Sequence, residues 1–308
     1  MARKELLKQA ASAETARLEV LKTYKIYIGG QFPRTESGRY YIATNQKGKK
    51  LANICLSSRK DIRDAVESAR NAFGSWSTRA AFNRGQILYR MAEMLEGRKD
   101  QFIQELIQMD ASPAQAEKEV CLSIDRLIYY AGWADKYQQV MSSVNPVASP
   151  HFNFSVPEPM GVIGIIAPQS TALIGLVSVI APAIAGGNTC VVVGSYPRPL
   201  STITLAEVLH ASDLPGGVVN LLTGNPSELI PWMAGHMDVN AVVYNEQEKS
   251  QIKNIQEKAA LNVKRVLLYP TVDWFNEESQ SPYYIQDLQE IKTTWHPIEV
   301  IGAGGSKY

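Results

Sequence analysis

The stretch that decides the fold is Glu158–Pro168, which reads EPMGVIGIIAP and is followed by an apolar helical segment and a second apolar run. No charged residue lies between Glu158 and Arg198. Prolines, glycines and the polar cluster at 169–171 break this region into pieces far shorter than the ~20 apolar residues that a membrane-spanning helix needs. The pattern therefore predicts a buried strand, then a buried helix, then a second buried strand.

The same rhythm continues toward the C-terminus, where short apolar runs alternate with helical segments. Apolar runs of this length are typical of strands that are buried on both faces of a parallel sheet. The predicted strands are Val162–Ala167, Cys190–Val193, Val218–Leu222, Ala241–Tyr244 and Val266–Leu268, and the predicted helices are Leu173–Ala185, Ser201–His210, Leu229–Gly235 and Gln247–Ala259. Five strands with helical crossovers predict an α/β fold with a Rossmann-type doubly wound parallel sheet.

The N-terminal part of the chain has a different pattern. Residues 1–23 are expected to form a polar leader, and strand-like runs follow at Ile26–Ile28 and Tyr40–Ile42. Three amphipathic helices then begin near Ile62, Leu88 and Val120, each with apolar residues at helical spacing. Ser57, Ser58 or Asp61 can cap the first of these helices.

Composition excludes several classes of protein and predicts a cytoplasmic one. Lys and Arg number 31 against 30 Asp and Glu, so there is no basic excess that would favour nucleic acid or an anionic membrane. Three widely spaced cysteines argue against a disulfide framework, and the four histidines lack a second ligand at metal spacing. We therefore expect no metal site, and the glutamates near the N-terminus argue against a transit peptide.

The usual chemical motifs of an enzyme are not found in this sequence. The first strand is followed by Pro168-Gln169-Ser170 instead of a glycine-rich phosphate loop, and Gly302–Gly305 is predicted to be a flexible tail because no helix can follow it. Gly186-Gly187-Asn188 precedes a strand, so it is predicted to end a helix. No cysteine lies in a context that would lower the pKa of its thiol.

Several segments nevertheless resemble the aldehyde dehydrogenase superfamily, in the family's order from about Tyr24 to Leu268. The most specific are YYAGWADK at Tyr129–Lys136 and the strand GVIGIIAP. The other matching segments are IGGQF at Ile28–Phe32, AVESARNAFGSW at Ala65–Trp76, PAIAGGNTCVV at Pro182–Val192, LPGGVVNLLTG at Leu214–Gly224, and the short runs at 236–239 and 263–266. The resemblance implies a coenzyme-domain-like fold over 24–136 and 158–270.

The sequence departs from the family at every position that the family uses for chemistry. The resemblance places Ser170 at the position of the oxyanion-stabilising Asn that follows Pro168, and Tyr269 at the position of the general base. Val193 and Tyr196 stand where the family has the Lys and Glu that hold the adenosine ribose. Glu246 replaces the glycine that lets the pyrophosphate approach the backbone. We therefore expect these six positions to be vestigial, and NAD to bind weakly or not at all.

The resemblance also implies that a whole domain is replaced by a short segment. The family continues after this point with a catalytic domain that carries a nucleophilic Cys, and such a domain needs on the order of 100–200 residues. Here the chain resumes at Tyr284–Trp295 with YIQDLQEIKTTW, which is similar to the family's C-terminal strand. Residues 137–157 and 283–300 are therefore expected to form an oligomerisation arm, followed by a tail at 301–308.

The hypothesis that follows is a catalytically inactive subunit that supports or regulates a complete aldehyde dehydrogenase. Its contacts are expected to come from a predicted strand in the arm, through Gln289, Ile291, Thr293 and Trp295. Two alternatives remain open. The chain could be a nucleotide- or metabolite-binding module that uses the crevice of the sheet, or an NAD(P)-dependent aldehyde oxidoreductase subunit whose nucleophile comes from another chain.

Overall fold

The computed structural model describes residues 20–298. The predicted leader lies outside the described residues up to position 19, as does the predicted tail at 301–308. No helix in the described part of the chain is both long and apolar enough to cross a membrane. The same residues contain no cluster of side chains that could hold a metal ion.

The centre of the molecule is the predicted parallel sheet. Its five strands are β6 (Val162–Ile166), β7 (Thr189–Val193), β8 (Val219–Leu222), β9 (Ala241–Tyr244) and β10 (Arg265–Leu268). Their order is β10-β9-β6-β7-β8, and every neighbouring pair is parallel. All five predictions are confirmed to within one residue at each end. Strands β6 to β9 are fully buried, as their continuous apolar sequences require, whereas the edge strand β10 is half-buried.

The helices between these strands are also confirmed, with small changes at their ends. They are α6 (Ile174–Ala185), α7 (Leu200–His210), α8 (Pro226–Gly235) and α9 (Lys249–Ala260). Helix α6 is buried along its whole length and ends at Gly186. Gly187 then adopts a φ of +89°, which confirms that this glycine pair ends the helix.

Within the described residues, five helices precede the sheet: α1 (Arg59–Ser77), α2 (Ala81–Glu96), α3 (Lys99–Gln108), α4 (Pro113–Trp133) and the short α5 (Tyr137–Met141). At the start of α1, Ser58 and Asp61 form the capping box that their spacing allows. Gly85 of α2 lies so close to α4 that an added Cβ would meet the Ala131 carbonyl oxygen at 2.8 Å. This close approach packs α2 against α4.

A small sheet at the N-terminus differs from the prediction. It contains β1 (Thr23–Tyr24), β2 (Tyr40–Thr44) and β3 (Lys50–Cys55) in the order β1-β3-β2. The predicted strand at Ile26–Ile28 is absent, because this part of the chain makes only isolated bridges, one of them from Tyr27 to Leu221 of β8. Strand β3 was not predicted, since its KLANIC sequence has no clear alternation.

The third sheet corresponds to the expected arm. Strand β5 (His151–Pro159) pairs with β4 (Ser143–Asn145) on one side and with β11 (Gln289–Pro297) on the other, and both pairings are antiparallel. Both segments that were expected to form the arm begin with a helix instead of a strand. Residues 137–157 begin with α5, and residues 283–300 begin with a helical turn, α10 (Tyr283–Gln286). The predicted C-terminal strand is confirmed.

Candidate functional site

The crevice of a doubly wound sheet lies where the strand order reverses, at the carboxyl ends of the strands. Here the chain passes from β6 to β7 and β8 on one side, and returns to β9 and β10 on the other. The six predicted site residues fall at the ends of β6, β7, β9 and β10 or just beyond them. These residues therefore lie at the edge of the sheet where the crevice is.

The entrance to the crevice is crossed by a hydrogen-bond bridge within the protein. The backbone N–H of Gln169 donates to Oε1 of Glu246 across 2.7 Å. The side chain of Gln169 is also engaged, since its Nε2 donates to the Ala167 carbonyl (2.7 Å) and its Oε1 accepts from the Tyr196 N–H (2.9 Å). We call these contacts the Gln169–Glu246 bridge. It occupies amides that an anionic ligand would otherwise use.

The two positions that the resemblance assigns to the ribose carry neither a lysine nor a glutamate. Val193 is fully buried within the core. Tyr196 is exposed and its ring packs at a tilt against Tyr41 of β2, with ring centroids 4.8 Å apart. Its carbonyl accepts a hydrogen bond from the Tyr41 hydroxyl at 3.1 Å. Burial raises the pKa of Tyr41. The N-terminal sheet therefore contacts the side of the crevice that Tyr196 forms, through Tyr41 of β2.

Ser170, at the oxyanion position, is exposed. Its carbonyl oxygen accepts a hydrogen bond from Nη1 of Arg198 at 2.7 Å. Pro168 packs beside Gly175 near the start of α6, where an added Cβ would lie 2.7 Å from the proline Cγ. Both residues thus take part in the local structure of this turn.

Tyr269, at the position of the general base, is tied to the C-terminal segment. Its hydroxyl donates to Oδ2 of Asp287 across 2.9 Å, and its ring lies edge-on to Tyr284 at 5.0 Å. Burial, followed by the nearby Asp287 carboxylate, raises the pKa of Tyr269. The phenol therefore stays protonated at neutral pH and cannot act as a general base there.

The segment between β10 and β11, residues 269–288, packs against α4 and α6. Trp274 is 3% exposed. The backbone of this segment is held by hydrogen bonds from Arg126 of α4. Arg126 donates to the Ser279 carbonyl (2.7 Å) and, through its other terminal nitrogen, to the carbonyls of Trp274 (3.2 Å) and Asn276 (3.4 Å). The Tyr130 hydroxyl adds a bond to the Ser281 carbonyl at 3.2 Å. We call residues 269–288 the linker. It is a packed part of the fold.

Glu119 of α4 is a structural residue of the site that the sequence did not reveal. It is 3% exposed, and its Oε1 accepts three backbone N–H groups at the start of α6, from Ala172 (3.0 Å), Leu173 (2.7 Å) and Ile174 (3.2 Å). A carboxylate at this end of a helix balances the helix dipole and its unpaired N–H groups. The terminus that would otherwise attract an anion is therefore already neutralised.

The remaining space beside the bridge is a cleft of about 350 Å³. Its walls include Tyr196, Tyr244, Glu246 and Glu248, and none of its described lining residues is a Lys or an Arg. Burial, together with the carboxylates of Glu248 and Glu246, raises the pKa of Tyr244 to about 12. A cleft with two carboxylates and no cation opposes the binding of a pyrophosphate.

The parallel sheet, its helices and the crevice at the carboxyl ends of its strands are thus those of a coenzyme-binding domain of a dehydrogenase. Residues 33–269 match the model of the aldehyde dehydrogenase family, and the chain belongs to that family.

Curated relatives cover the same region of the chain. Mouse cytosolic 10-formyltetrahydrofolate dehydrogenase is 33% identical over 264 residues, which are 82% of this chain and 29% of the relative. The cytosolic aldehyde dehydrogenase 1 of Elephantulus edwardii is 32% identical over 255 residues, 79% of this chain and 49% of the relative. The chain therefore spans half or less of the length of these relatives.

Solved structures give the same result for the fold. The NAD⁺ complex of a Bacillus cereus aldehyde dehydrogenase matches with a TM-score of 0.75 and 26% identity, over 80% of this chain and 50% of that protein. HpcC from Thermus thermophilus matches with a TM-score of 0.77 and 26% identity, over 81% and 49%. The parallel sheet and its helices are thus those of an aldehyde dehydrogenase coenzyme domain.

Proposed function

We propose that this chain is a catalytically inactive aldehyde dehydrogenase homologue that serves as a structural or regulatory subunit of a complete aldehyde dehydrogenase. The observation that carries the proposal is the Gln169–Glu246 bridge, whose carboxylate belongs to the residue that the resemblance aligns with the family's pyrophosphate-binding glycine. The linker and the arm support it.

The residues at the crevice do not fit NAD. Glu246 holds the Gln169 amide, Val193 is buried, and Tyr196 packs against Tyr41. Each hydrogen-bond partner lost from a buried site costs about 1–3 kcal/mol. Three such losses move a micromolar affinity to millimolar or weaker. We therefore derive no step that uses a nicotinamide coenzyme.

The linker also argues against an active enzyme assembled from two chains. It packs Trp274 into the core and forms hydrogen bonds with Arg126 and Tyr130. The segment that stands where the family continues with its catalytic domain is thus fixed against α4 and α6, and it contains no cysteine that could act as a nucleophile. Tyr269, which the resemblance aligns with the general base, also donates its hydroxyl hydrogen to the Asp287 carboxylate, so it is already engaged in a structural hydrogen bond.

The arm provides the surface for the proposed partner. Strand β11 is an edge strand, and an edge strand offers N–H and C=O groups that can pair with a strand from another subunit. Ile291 and Trp295 are 53% and 57% exposed on it, and Thr293 lies between them. Gln289 differs from this group, because its side chain is buried and its Nε2 donates to the Gly186 carbonyl at 3.2 Å. Gln289 anchors the arm to the sheet domain.

The partner proposal is tested by co-expressing the chain with a complete aldehyde dehydrogenase from the same organism and measuring the mass of the assembly. The double variant Ile291→Lys, Trp295→Glu should abolish the complex, because the substitutions put charge on the pairing strand. Tyr89→Glu is the matched control, since Tyr89 is 52% exposed on α2 and should leave the complex intact. A complex that survives the double variant would show that the arm is not the interface.

The coenzyme proposal is tested by calorimetry with NAD and by assay with NAD and an aldehyde. We expect no NADH from the chain alone and no saturable binding below about 1 mM. A dissociation constant below about 10 μM would contradict this expectation. Turnover that is lost when one of the three cysteines is replaced would show that the chain is an enzyme.

A further inference from the structure

A second cavity lies at the C-terminal ends of α8 and α9, whose N-terminal ends line the cleft beside the Gln169–Glu246 bridge. It is a groove of about 460 Å³ between the start of α1 and the C-terminal ends of α8 and α9. Its apolar lining comes from Ile62, Pro231, Trp232 and Leu261. Trp232 is 44% exposed and Leu261 is 78% exposed, so the apolar surface is open to solvent.

The charged residues around this groove are all cations. Arg59, Arg63 and Lys258 line it, and none of the lining residues within 20–298 is an Asp or a Glu. The Arg59 guanidinium lies over the Trp232 ring, 4.6 Å from its centroid. Arg63 is paired with Asp64 at 2.7 Å, whereas Arg59 and Lys258 form no ion pair or hydrogen bond within the described part of the chain. Two cations are therefore available to a ligand.

The turn that ends α9 lies next to the groove. Val263, two residues beyond Leu261, has a φ of +56° and is 92% exposed. This left-handed residue ends the helix, since the Lys264 N–H donates to the Ala259 carbonyl at 3.1 Å. The turn therefore keeps a second apolar side chain at the surface, two residues beyond the groove residue Leu261.

We propose that this groove binds a small organic anion with an aromatic or aliphatic body, of the carboxylate or phosphate-ester class. The apolar part lies on Ile62 and Leu261 against the Trp232 ring, and the anionic group meets Arg59 and Lys258. A second copy of the chain is disfavoured as the occupant, because its equivalent face would bring cations against cations. The proposal is independent of the partner subunit described above.

The test uses the full chain and follows Trp232 fluorescence during titration with 4-phenylbutyrate and, separately, with phenyl phosphate. We expect saturable quenching with a dissociation constant on the order of 1 mM, the range for a ligand of this size. Added salt should weaken the binding, because the cations are exposed. The signal should disappear in Trp232→Phe, which shows that it comes from this groove.

A pair of double variants separates specific binding from general charge attraction. Arg59→Ala, Lys258→Ala should weaken binding about tenfold, the effect of removing the charge-assisted contacts. Arg90→Ala, Lys253→Ala removes the same charge elsewhere, from exposed residues paired with Glu93 and Glu257, and should leave binding unchanged. Circular dichroism melts check that all variants fold.

Three results would overturn the proposal. The first is quenching that does not saturate by about 10 mM of either probe, an affinity too weak for a built site. The second is equal binding of acetate or inorganic phosphate, since these anions lack the apolar body. The third is equal weakening in both double variants. A preference between the two probes identifies which anionic group the site takes.

Discussion

Replacing Arg126 with methionine tests whether the linker is a fixed part of the fold. Arg126 is 1% exposed, and its guanidinium is satisfied by three backbone carbonyls of the linker. Methionine fills a similar volume but leaves the three carbonyls without their donor. The expected result is a marked loss of stability, together with release of the linker.

The magnitude follows from two opposing effects. A hydrogen bond to a charged group contributes about 1.5–3 kcal/mol, but a buried cation is costly to desolvate, and burial lowers the pKa of Arg126 accordingly. Of the three bonds, only the one to Ser279 is short, at 2.7 Å. We therefore expect a net loss of about 3 kcal/mol, or a fall of about 6–12 °C in the melting temperature of a chain of this size.

The measurement is urea unfolding combined with limited proteolysis. In Arg126→Met the linker should be cut first, at a protease concentration that leaves the parent intact. Arg90→Met is the matched control, because Arg90 is exposed and paired with Glu93, and its loss should change stability by less than about 0.5 kcal/mol. A loss below about 1 kcal/mol in Arg126→Met, with no new cleavage, would refute the idea that Arg126 fastens the linker.

Three further outcomes are expected. Glu119→Gln should lower the free energy of unfolding by about 1–3 kcal/mol, because the charge that accepts three amides at the start of α6 is removed; an unchanged urea midpoint would contradict this. Burial raises the pKa of Glu105, so the protonated carboxyl stabilises the fold at acidic pH, and this stabilisation is lost as the pH rises through the folded-state pKa. In Glu105→Gln the free energy of unfolding should therefore fall less between pH 4 and 7 than in the parent. The difference in slope, measured by urea unfolding at each pH, is at most about 1.4 kcal/mol per pH unit. Gly164→Ala should destabilise the sheet by about 1–3 kcal/mol in thermal melts, because a Cβ would lie 2.7 Å from Cγ of Met233; equal melting temperatures would contradict this prediction.

The sequence predicted the central sheet closely because its strands are continuous apolar runs. Strands β6 to β9 are buried on both faces, and no other element gives that pattern at that length. The prediction failed at Ile26–Ile28, where a strand-like run makes isolated bridges, and at Lys50–Cys55, where a strand lacks alternation. Short strands at the edge of a domain are decided by tertiary contacts more than by their own residues.

The contacts of the candidate site could not be predicted from the sequence. The resemblance assigned Ser170, Glu246 and Tyr269 to family positions, and the structure shows that they follow β6, β9 and β10 at the same edge of the sheet. The Gln169–Glu246 bridge joins residues 77 apart, which local sequence cannot reveal. Glu119 was missed for a different reason, since a glutamate in an amphipathic helix is normally a solvent-facing residue.

The register of the arm has a consequence for how the protein folds. Strand β5 pairs with β11, which lies far along the chain: the hydrogen-bonded residues Ser155 of β5 and Thr293 of β11 are 138 residues apart. During synthesis the edge of β5 that pairs with β11 therefore stays unpaired until β11 has been made. The neighbouring aromatic side chains of Phe152 and Phe154 lie on this strand. Pairings of such long sequence separation form slowly, and exposed edges aggregate. The arm should be the last element to fold, and the yield of soluble protein should depend on how quickly β11 reaches it.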